Sequence, residues 1–330
     1  MSGLPVTVRA LLAVCLATAG ATLACAQIPA ATLAEANAEL QAGEADKAIA
    51  QLSPLPKTGA GADEAQNLLC RVHITLQQWS QAARECQLAI TLNGNVSDYH
   101  MWLARALGQQ ASHANFFSAY GEAKHSLSEM QTAIQLDPKN GPALSDLGDY
   151  YAQAPAIVGG GTSKAQQIAA QLDKVDPARA AQLRGDIAVD QKDYSTAEQQ
   201  YRQAATVSPE PADEWTVLAD FYRQRQRWTD LDTAIQNCVD AAAKDKNSAF
   251  ALYDGAGVLI AAKRSPQLAE KMLEDYLASS SLSEQAPAFI AHIRLARLKQ
   301  QLGDAAGAQQ DFAAATHLAH EFSPSQDPAP

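Results

Sequence analysis

The sequence predicts an all-α fold, a solenoid of about eight helix–turn–helix hairpins that follow one another along the chain. Small residues recur at an interval of twelve from end to end, as in Ala36 and Ala48 or Gly185 and Ala197. The composition is 47% hydrophobic but only 6% aromatic, and its abundance of alanine and glutamine favours helix over strand. Prolines close several of the repeated units, which is where one hairpin must turn into the next.

The spacing has a physical explanation. A small residue on each helix of a hairpin lets the two antiparallel helices approach closely, and a bulky residue four positions later fills the space beside the contact. Ala308 and Phe312 are such a pair in the last unit. Each hairpin still exposes one apolar face, which the next hairpin buries, so the units are expected to stack into a continuous array.

The units can be placed in order along the chain. Pro138, Pro177 and Pro209 end the third, fourth and fifth units, and Gly43 and Gly303 mark turns inside the first and last. The eight predicted units are 30–55, 63–93, 97–138, 141–177, 178–209, 212–241, 248–278 and 287–319. The proline-rich segment 323–330 is expected to be a disordered tail.

Two units are longer than the pattern requires. The third carries an insertion at 113–120, and the fourth carries one at 154–161 that contains three consecutive glycines. We expect longer helices in the third unit, with the glycine loop folded over their end. The insertions have two interpretations: they contribute to binding, or they only pack against each other.

The sixth unit carries the residues that suggest a family. Trp215, Leu218, Ala219 and Tyr222 follow the spacing of the tetratricopeptide repeat, so the chain resembles the TPR family, although Leu231 stands where that family usually has alanine. The resemblance implies a right-handed superhelix whose concave wall binds a protein or peptide. It implies no enzymatic activity and no cofactor.

In repeats of this kind, defined first-helix positions face the concave groove. The peptide-binding residues predicted on this basis are Asn67, Arg71, Arg105, Gln109, Asp149, Gln153, Asp186, Asp190, Asp220, Arg223 and Arg297. Basic residues come first and acidic residues follow, and separated signs would fix the direction of a bound peptide. The alternative is that these are ordinary exposed polar residues. The carboxylate clamp of some TPR proteins is not matched, because Leu33 and Leu68 occupy two of its positions.

The glycine loop Gly159, Gly160 and Gly161 does not match a phosphate-binding loop, because the required order of glycine, lysine and serine or threonine is absent. We expect the glycines to allow a tight reversal before a helix that Thr162 or Ser163 caps. No catalytic motif and no cluster of metal ligands stands out, so the sequence predicts a binding protein without metal.

The N-terminus is predicted to be a signal peptide of residues 1–26. One basic residue, Arg9, precedes an apolar run, and small residues around Ala24 and Ala26 form a cleavage site. The expected location is the periplasm. The alternative is an outer-membrane lipoprotein of envelope assembly or secretion machinery, lipidated at Cys25. The residues from Thr22 to Cys25 resemble the cleavage sequence of a lipoprotein. A membrane is an expected partner only in that case.

Charge and cysteine content restrict the partners and the compartment. The net charge of −11 disfavours nucleic acid, because an acidic chain repels phosphate backbones. Cys70 and Cys86 lie at small-residue positions of the second unit, where free cysteine packs as a small apolar residue. We therefore expect free thiols there, with a disulfide as the alternative.

Overall fold

The computed structural model describes residues 27–322, and within that range the chain consists of sixteen α-helices and two short 3₁₀ turns, without a strand. The predicted all-α fold is confirmed. The predicted signal peptide, the alternative lipidation site at Cys25 and the predicted disordered tail lie outside the described residues. None of the described helices combines the length and the apolar character needed to cross a membrane.

The helices form eight consecutive hairpins, and the two helices of each hairpin pack against each other. This is the TPR-like arrangement that the sequence predicted, and the eight hairpins coincide with the eight predicted units. The pairs are α1 (Ala30–Gln41) with α2 (Ala45–Leu52), α3 (Ala62–Thr75) with α4 (Trp79–Leu92), α5 (Ser97–His113) with α6 (Phe116–Leu136), α7 (Gly141–Gln153) with α8 (Thr162–Leu172), α9 (Pro177–Asp190) with α10 (Tyr194–Val207), α11 (Pro211–Gln224) with α12 (Trp228–Ala242), α13 (Ala249–Ala262) with α14 (Pro266–Leu277), and α15 (Ala288–Leu302) with α16 (Ala305–Leu318).

The small residues lie in the seams between paired helices, where Ala36 and Ala48 have no exposed surface. A Cβ atom added to Gly185 would come within 2.4 Å of the Tyr201 ring, so this seam has no room for a side chain. The seventh hairpin departs from the prediction. A Cβ atom on Gly257 would meet only the Arg294 side chain, so Gly257 faces the neighbouring hairpin.

The turns inside six hairpins share one backbone feature, a residue in the left-handed region of φ. Glycine supplies it at Gly43 and Gly303, as the sequence analysis expected of these turns. The other four turns use residues that bear a side chain: Gln77, Lys192, Gln226 and Lys263. In the seventh hairpin Ser265 also has a positive φ of 42°. In the other five turns the seam residue lies seven positions before the left-handed residue, and the residue seven positions before Lys263 is Ala256. Ala256, which is fully buried, therefore occupies the seam position there, thirteen residues before Ala269.

Cys70 and Cys86 form a disulfide that joins α3 to α4, with their Cα atoms 5.2 Å apart. The expectation of free thiols was wrong. Both residues are fully buried in the seam, and the close approach that small residues permit also brings the two sulfur atoms within bonding distance. Cys238 is a buried free cysteine.

The glycine loop packs against the lengthened helix α6, but its contacts lie beyond the predicted insertion 113–120. α6 is 21 residues long, and the loop that follows α7 folds onto it near Leu127. The Tyr150 hydroxyl lies 2.9 Å from the Val158 carbonyl and 3.1 Å from the Ala123 carbonyl, so it bridges loop and helix. A Cβ atom on Gly159 would meet the Leu127 side chain at 2.7 Å, which shows how closely the loop approaches α6.

The first and last hairpins meet, so the array closes on itself. Leu33 and Leu40 of α1 share one apolar core with Phe289 and Ile293 of α15. Gly43 sits so close to the start of α15 that an added Cβ atom would come within 2.3 Å of the Ala288 backbone nitrogen. The open concave wall expected from the sequence is therefore the inner wall of a ring of hairpins.

Polar contacts add to this closure. Glu284, in the loop before α15, accepts hydrogen bonds from Arg71 of α3 at 2.7 and 3.0 Å and from Gln41 of α1 at 3.0 Å. At the other side of the junction, both the backbone nitrogen and Nδ1 of His320 lie within 3.0 Å of Asp46 Oδ2. The half-buried contacts of Glu284 are the stronger group, because exposed ion pairs contribute little to stability.

Candidate binding site on the inner wall

The inner wall is built from the first helix of each hairpin, and one position repeats around it. This is the residue that directly follows the seam residue: Asn37, Arg71, Arg105, Asp149, Asp186, Asp220, Gly257 and Arg297. Because the hairpins stack in order, the wall changes from basic to acidic along α3 to α11. The sequence predicted this order of signs, and the structure shows which of the charges are already paired.

The basic part of the wall is paired internally. Arg71 forms its ion pair with Glu284, and Arg105 donates to Asp146 at 2.6 and 3.2 Å. The two guanidinium groups also lie over the same ring, that of Trp102, at 5.2 and 4.5 Å from its centre. These arginines are therefore already paired within the fold, and their predicted role in binding a peptide stays a prediction.

The acidic part of the wall borders a cavity of about 670 Å³, lined from α7, α9, α10, α11, α13 and α15. Five predicted groove residues line it: Gln153, Asp186, Asp190, Asp220 and Arg223. Sequence reasoning missed further polar lining residues, which are Tyr201, Asp254 and Arg294. Tyr201 comes from a second helix, which the prediction did not consider.

The carboxylates of the cavity differ in their partners. Asp186 accepts a hydrogen bond of 2.7 Å from the Tyr201 hydroxyl. Asp220 accepts from Arg223 Nε at 2.6 Å and from Gln224 Nε2 at 2.7 Å. Burial raises the pKa of the Asp186 carboxyl, against the opposing effect of the Tyr201 hydrogen bond. These two residues are therefore held in place by their own neighbours.

Asp254 is the most strongly perturbed carboxyl of the cavity. Burial, reinforced by the charges of Asp213 and Asp220, raises its pKa to about 7, although Arg294 opposes the shift. Arg294 itself lies over the Tyr253 ring, 4.1 Å from its centre, and its Nε atom is buried without a hydrogen-bond partner. Asp254 precedes the seam residue Ala256 by two positions, as Val217 precedes Ala219, and Val217 also lines the cavity.

A second group of carboxyls surrounds Arg179 beside the cavity. Arg179 lies 3.8 Å from Asp149, and it donates a hydrogen bond to the Ser145 hydroxyl. Burial raises the pKa of Asp149 and of Asp213 to about 6, and that of Glu214 to about 7. In each case Arg179 opposes the shift but does not cancel it, since one guanidinium group serves several carboxyls.

The remaining predicted groove residues lie away from the cavity lining. Asn67 is only 5% exposed, and its Oδ1 atom has no hydrogen-bond partner, so it belongs to the wall and not to its surface. Gln109 is exposed near the end of α5. Arg297 lies on α15, half-buried. The cavity therefore brings together the middle of the predicted groove and leaves out its two ends.

The glycine loop is held by contacts with the end of α7 and the start of α8. The Gly161 nitrogen donates to the Tyr151 carbonyl at 2.8 Å, and a Cβ atom on Gly160 would collide with the Ala154 carbonyl oxygen. α8 begins at Thr162 without a side-chain cap, so the expected cap by Thr162 or Ser163 was wrong. Lys164 instead reaches back and donates to the Gly159 carbonyl at 2.8 Å, which fastens the loop to the helix.

Comparisons with known proteins give likenesses of structure only. No family model matches the sequence, and no curated protein matches it. A thermophilic TPR protein of Thermus thermophilus is 18% identical with a TM-score of 0.49, over 58% of this chain and 97% of that one. The C-terminal part of a TPR repeat-containing protein of Cytophaga hutchinsonii is 13% identical with a TM-score of 0.42, over 77% and 97%. PilF of Pseudomonas aeruginosa is 13% identical with a TM-score of 0.41, over 76% and 97%. The TPR-like fold assigned above rests on the packing of the hairpins themselves.

Proposed function

We propose that the protein is a non-catalytic scaffold of the bacterial cell envelope that holds a segment of a partner protein or peptide against its inner wall. The observation that carries the proposal is the cavity between the first helices of consecutive hairpins. Its volume of about 670 Å³ lies in the range of binding pockets, and its polar side chains converge from several helices.

The lining is suited to a bound chain. Gln153, Asp190 and Gln224 are exposed there and present carboxylate and amide groups, which can hydrogen-bond the backbone or side chains of a peptide. Stacked hairpins act by presenting such a continuous surface, and this supports binding without chemistry.

The location in the envelope has two supports. The sequence of residues 1–26 has the pattern of a secretory signal, and the Cys70–Cys86 disulfide is typical of proteins in oxidising compartments. A lipoprotein anchored at Cys25 is the second candidate, because Thr22, Leu23, Ala24 and Cys25 resemble a lipid-attachment sequence. The mass of the mature N-terminus distinguishes the two, since it identifies either unmodified Gln27 or acylated Cys25.

Photo-cross-linking in intact cells tests the binding wall. A benzophenone side chain replaces Gln224 on the inner wall or, as a matched control, the exposed Thr233 on the outer helix α12. We expect the position-224 variant alone to form a discrete adduct with another protein. Adducts at 233 with none at 224 would contradict the proposal, because they would place the partner on the outside of the ring.

A further inference from the structure

We infer that the inner cavity recognises a lysine or arginine side chain of the bound segment. This deepens the proposed function and rests on it, because it assigns the chemistry of the partner at the same wall. The inference starts from the imbalance of charge in the lining. Four carboxylates line the cavity, those of Asp186, Asp190, Asp220 and Asp254, against the two guanidinium groups of Arg223 and Arg294.

The two arginines leave part of this negative charge unpaired. Arg223 is bound to Asp220 at 2.6 Å, and Arg294 lies over the Tyr253 ring. Among the described residues, neither Asp190 nor Asp254 has a hydrogen bond or an ion pair. Two carboxylates that face one cavity from α9 and α13 are thus available to an incoming cation, and charge complementarity favours a basic partner.

A buried carboxyl outside the lining adds to the same potential. Glu214 is only 6% exposed, its Oε2 atom has no hydrogen-bond partner, and its charge interacts with that of Asp186, which lines the cavity. Arg179 compensates only part of this buried charge, and an incompletely compensated buried acid is unfavourable for the fold alone. It becomes favourable when a cation lies nearby, because attraction across a poorly solvated wall is only weakly screened.

The lining also fits the stem of a basic side chain. Val189, Val217 and Val258 give the cavity an apolar surface between the carboxylates, and Phe221 adds part of its ring. Lysine and arginine place their methylene groups along apolar surface while the charged end reaches polar groups. An acidic side chain would meet the same apolar surface but would be repelled by the carboxylates.

The test measures fluorescence anisotropy with labelled ten-residue glycine–serine peptides that carry two lysines, two glutamates or no charge, each with a benzophenone. The protein is the full exported chain with its disulfide formed, at physiological salt and at pH 8, above the raised pKa of Asp254. We expect binding of the basic peptide, and affinity lower by about tenfold in Asp190→Asn and in Asp254→Asn, as expected for loss of one favourable charge pair. Asp232→Asn, on the outer helix α12 where the residue pairs with Arg264, is the matched control and should bind like the native chain.

The outcomes separate this inference from the proposed function. If the neutral or acidic peptide binds as well as the basic one and cross-links to the cavity, the preference for a cation is overturned while the proposed function stands. If the basic peptide binds but Asp190→Asn and Asp254→Asn bind it equally well, the assigned site is wrong. If no peptide cross-links to the inner wall, the inference and the peptide-binding function both fail. Circular dichroism of each variant confirms folding, and Asp254→Asn removes a charge whose burial is costly, so it should fold.

Discussion

Two stretches of the inner wall differ in how far the fold has already paired their charges. On α3 and α5, Arg71 and Arg105 are paired with Glu284 and Asp146. On α9 and α13, Asp190 and Asp254 face the cavity without such partners among the described residues. The difference teaches that a charge on the inner wall indicates a binding site only when the fold has not already neutralised it. Arg71 helps to close the ring and Arg105 joins two neighbouring hairpins, whereas the acidic stretch is the one that we propose binds a partner.

The largest effect that bears on this comparison should come from the contact between the two ends. Gly43→Ala introduces a Cβ atom 2.3 Å from the Ala288 backbone nitrogen, at a φ of 72°. We expect a loss of about 3 kcal/mol in the free energy of unfolding, from backbone strain and overpacking together. Thermal and denaturant unfolding measure it.

Gly303→Ala is the matched control, because Gly303 occupies the equivalent turn of the last hairpin at a φ of 88°, with open space around it. Only the backbone strain applies there, so the expected loss is about 1 kcal/mol. Equal losses in the two variants would show that the first turn does not touch α15, and the ring would be open.

The next effect concerns the arginine stretch directly. Glu284→Gln removes the charge that pairs with Arg71 in a half-buried environment, and we expect a loss of about 2 kcal/mol. Asp275→Asn, which breaks an exposed pair with Lys271, should change stability by less than about 0.5 kcal/mol. If Glu284→Gln were as mild as this control, the pair would contribute little to the closure and Arg71 would be available to a partner.

The buried carboxyls of the acidic stretch should make the stability of the protein depend on pH. The pKa values of Asp254 and Glu214 are raised to about 7, and those of Asp149 and Asp213 to about 6, so the folded chain holds these protons more tightly than the unfolded chain. The stability that these groups contribute is therefore fully present near pH 4 and is lost as the pH rises through about 7. We expect the unfolding midpoint to fall by roughly 4 °C between pH 5.5 and pH 8.

Asp254→Asn should make the fall of the unfolding midpoint with pH smaller, because it removes one of the groups whose pKa is raised to about 7 in the folded chain. The titration of Asp254 is also set by the groups around it, which are Asp213 and Asp220 on α11, Cys238 on α12, Tyr276 on α14 and Arg294 on α15. A midpoint that rises between pH 5.5 and pH 8 would contradict the description of this wall as rich in buried carboxyls.

The hairpins could be predicted from the sequence because their signal is local. A seam such as that of Gly185 and Ala197 lies within one unit, and the same spacing recurs in the others. The closure could not be predicted, because Arg71 and Glu284 are 213 residues apart and nothing in the spacing of one refers to the other. Glu284 reaches Arg71 only because the eighth hairpin returns to the first, and the number of hairpins needed for that return is not encoded in any single unit.

The candidate site was predictable in part for the same reason. The position after each seam residue identified Asp186 and Asp220, and both line the cavity. Asp254 was missed because it lies two positions before the seam residue Ala256, and the sequence analysis named no groove residue in the seventh hairpin. The disulfide was missed because a small buried cysteine fits the seam equally well as a thiol.

The most direct test of the central claim, that the first and last hairpins meet and enclose the inner wall, is a chemical cross-link across their junction. Cysteines replace Asp46 and His320, whose side chains lie 2.8 Å apart, and a short bismaleimide is added to the disulfide-bonded protein. The closed ring predicts a rapid intramolecular cross-link in the folded chain that disappears in guanidinium. Absence of that cross-link in folded protein, with both thiols still reactive towards a monofunctional maleimide, would contradict the account.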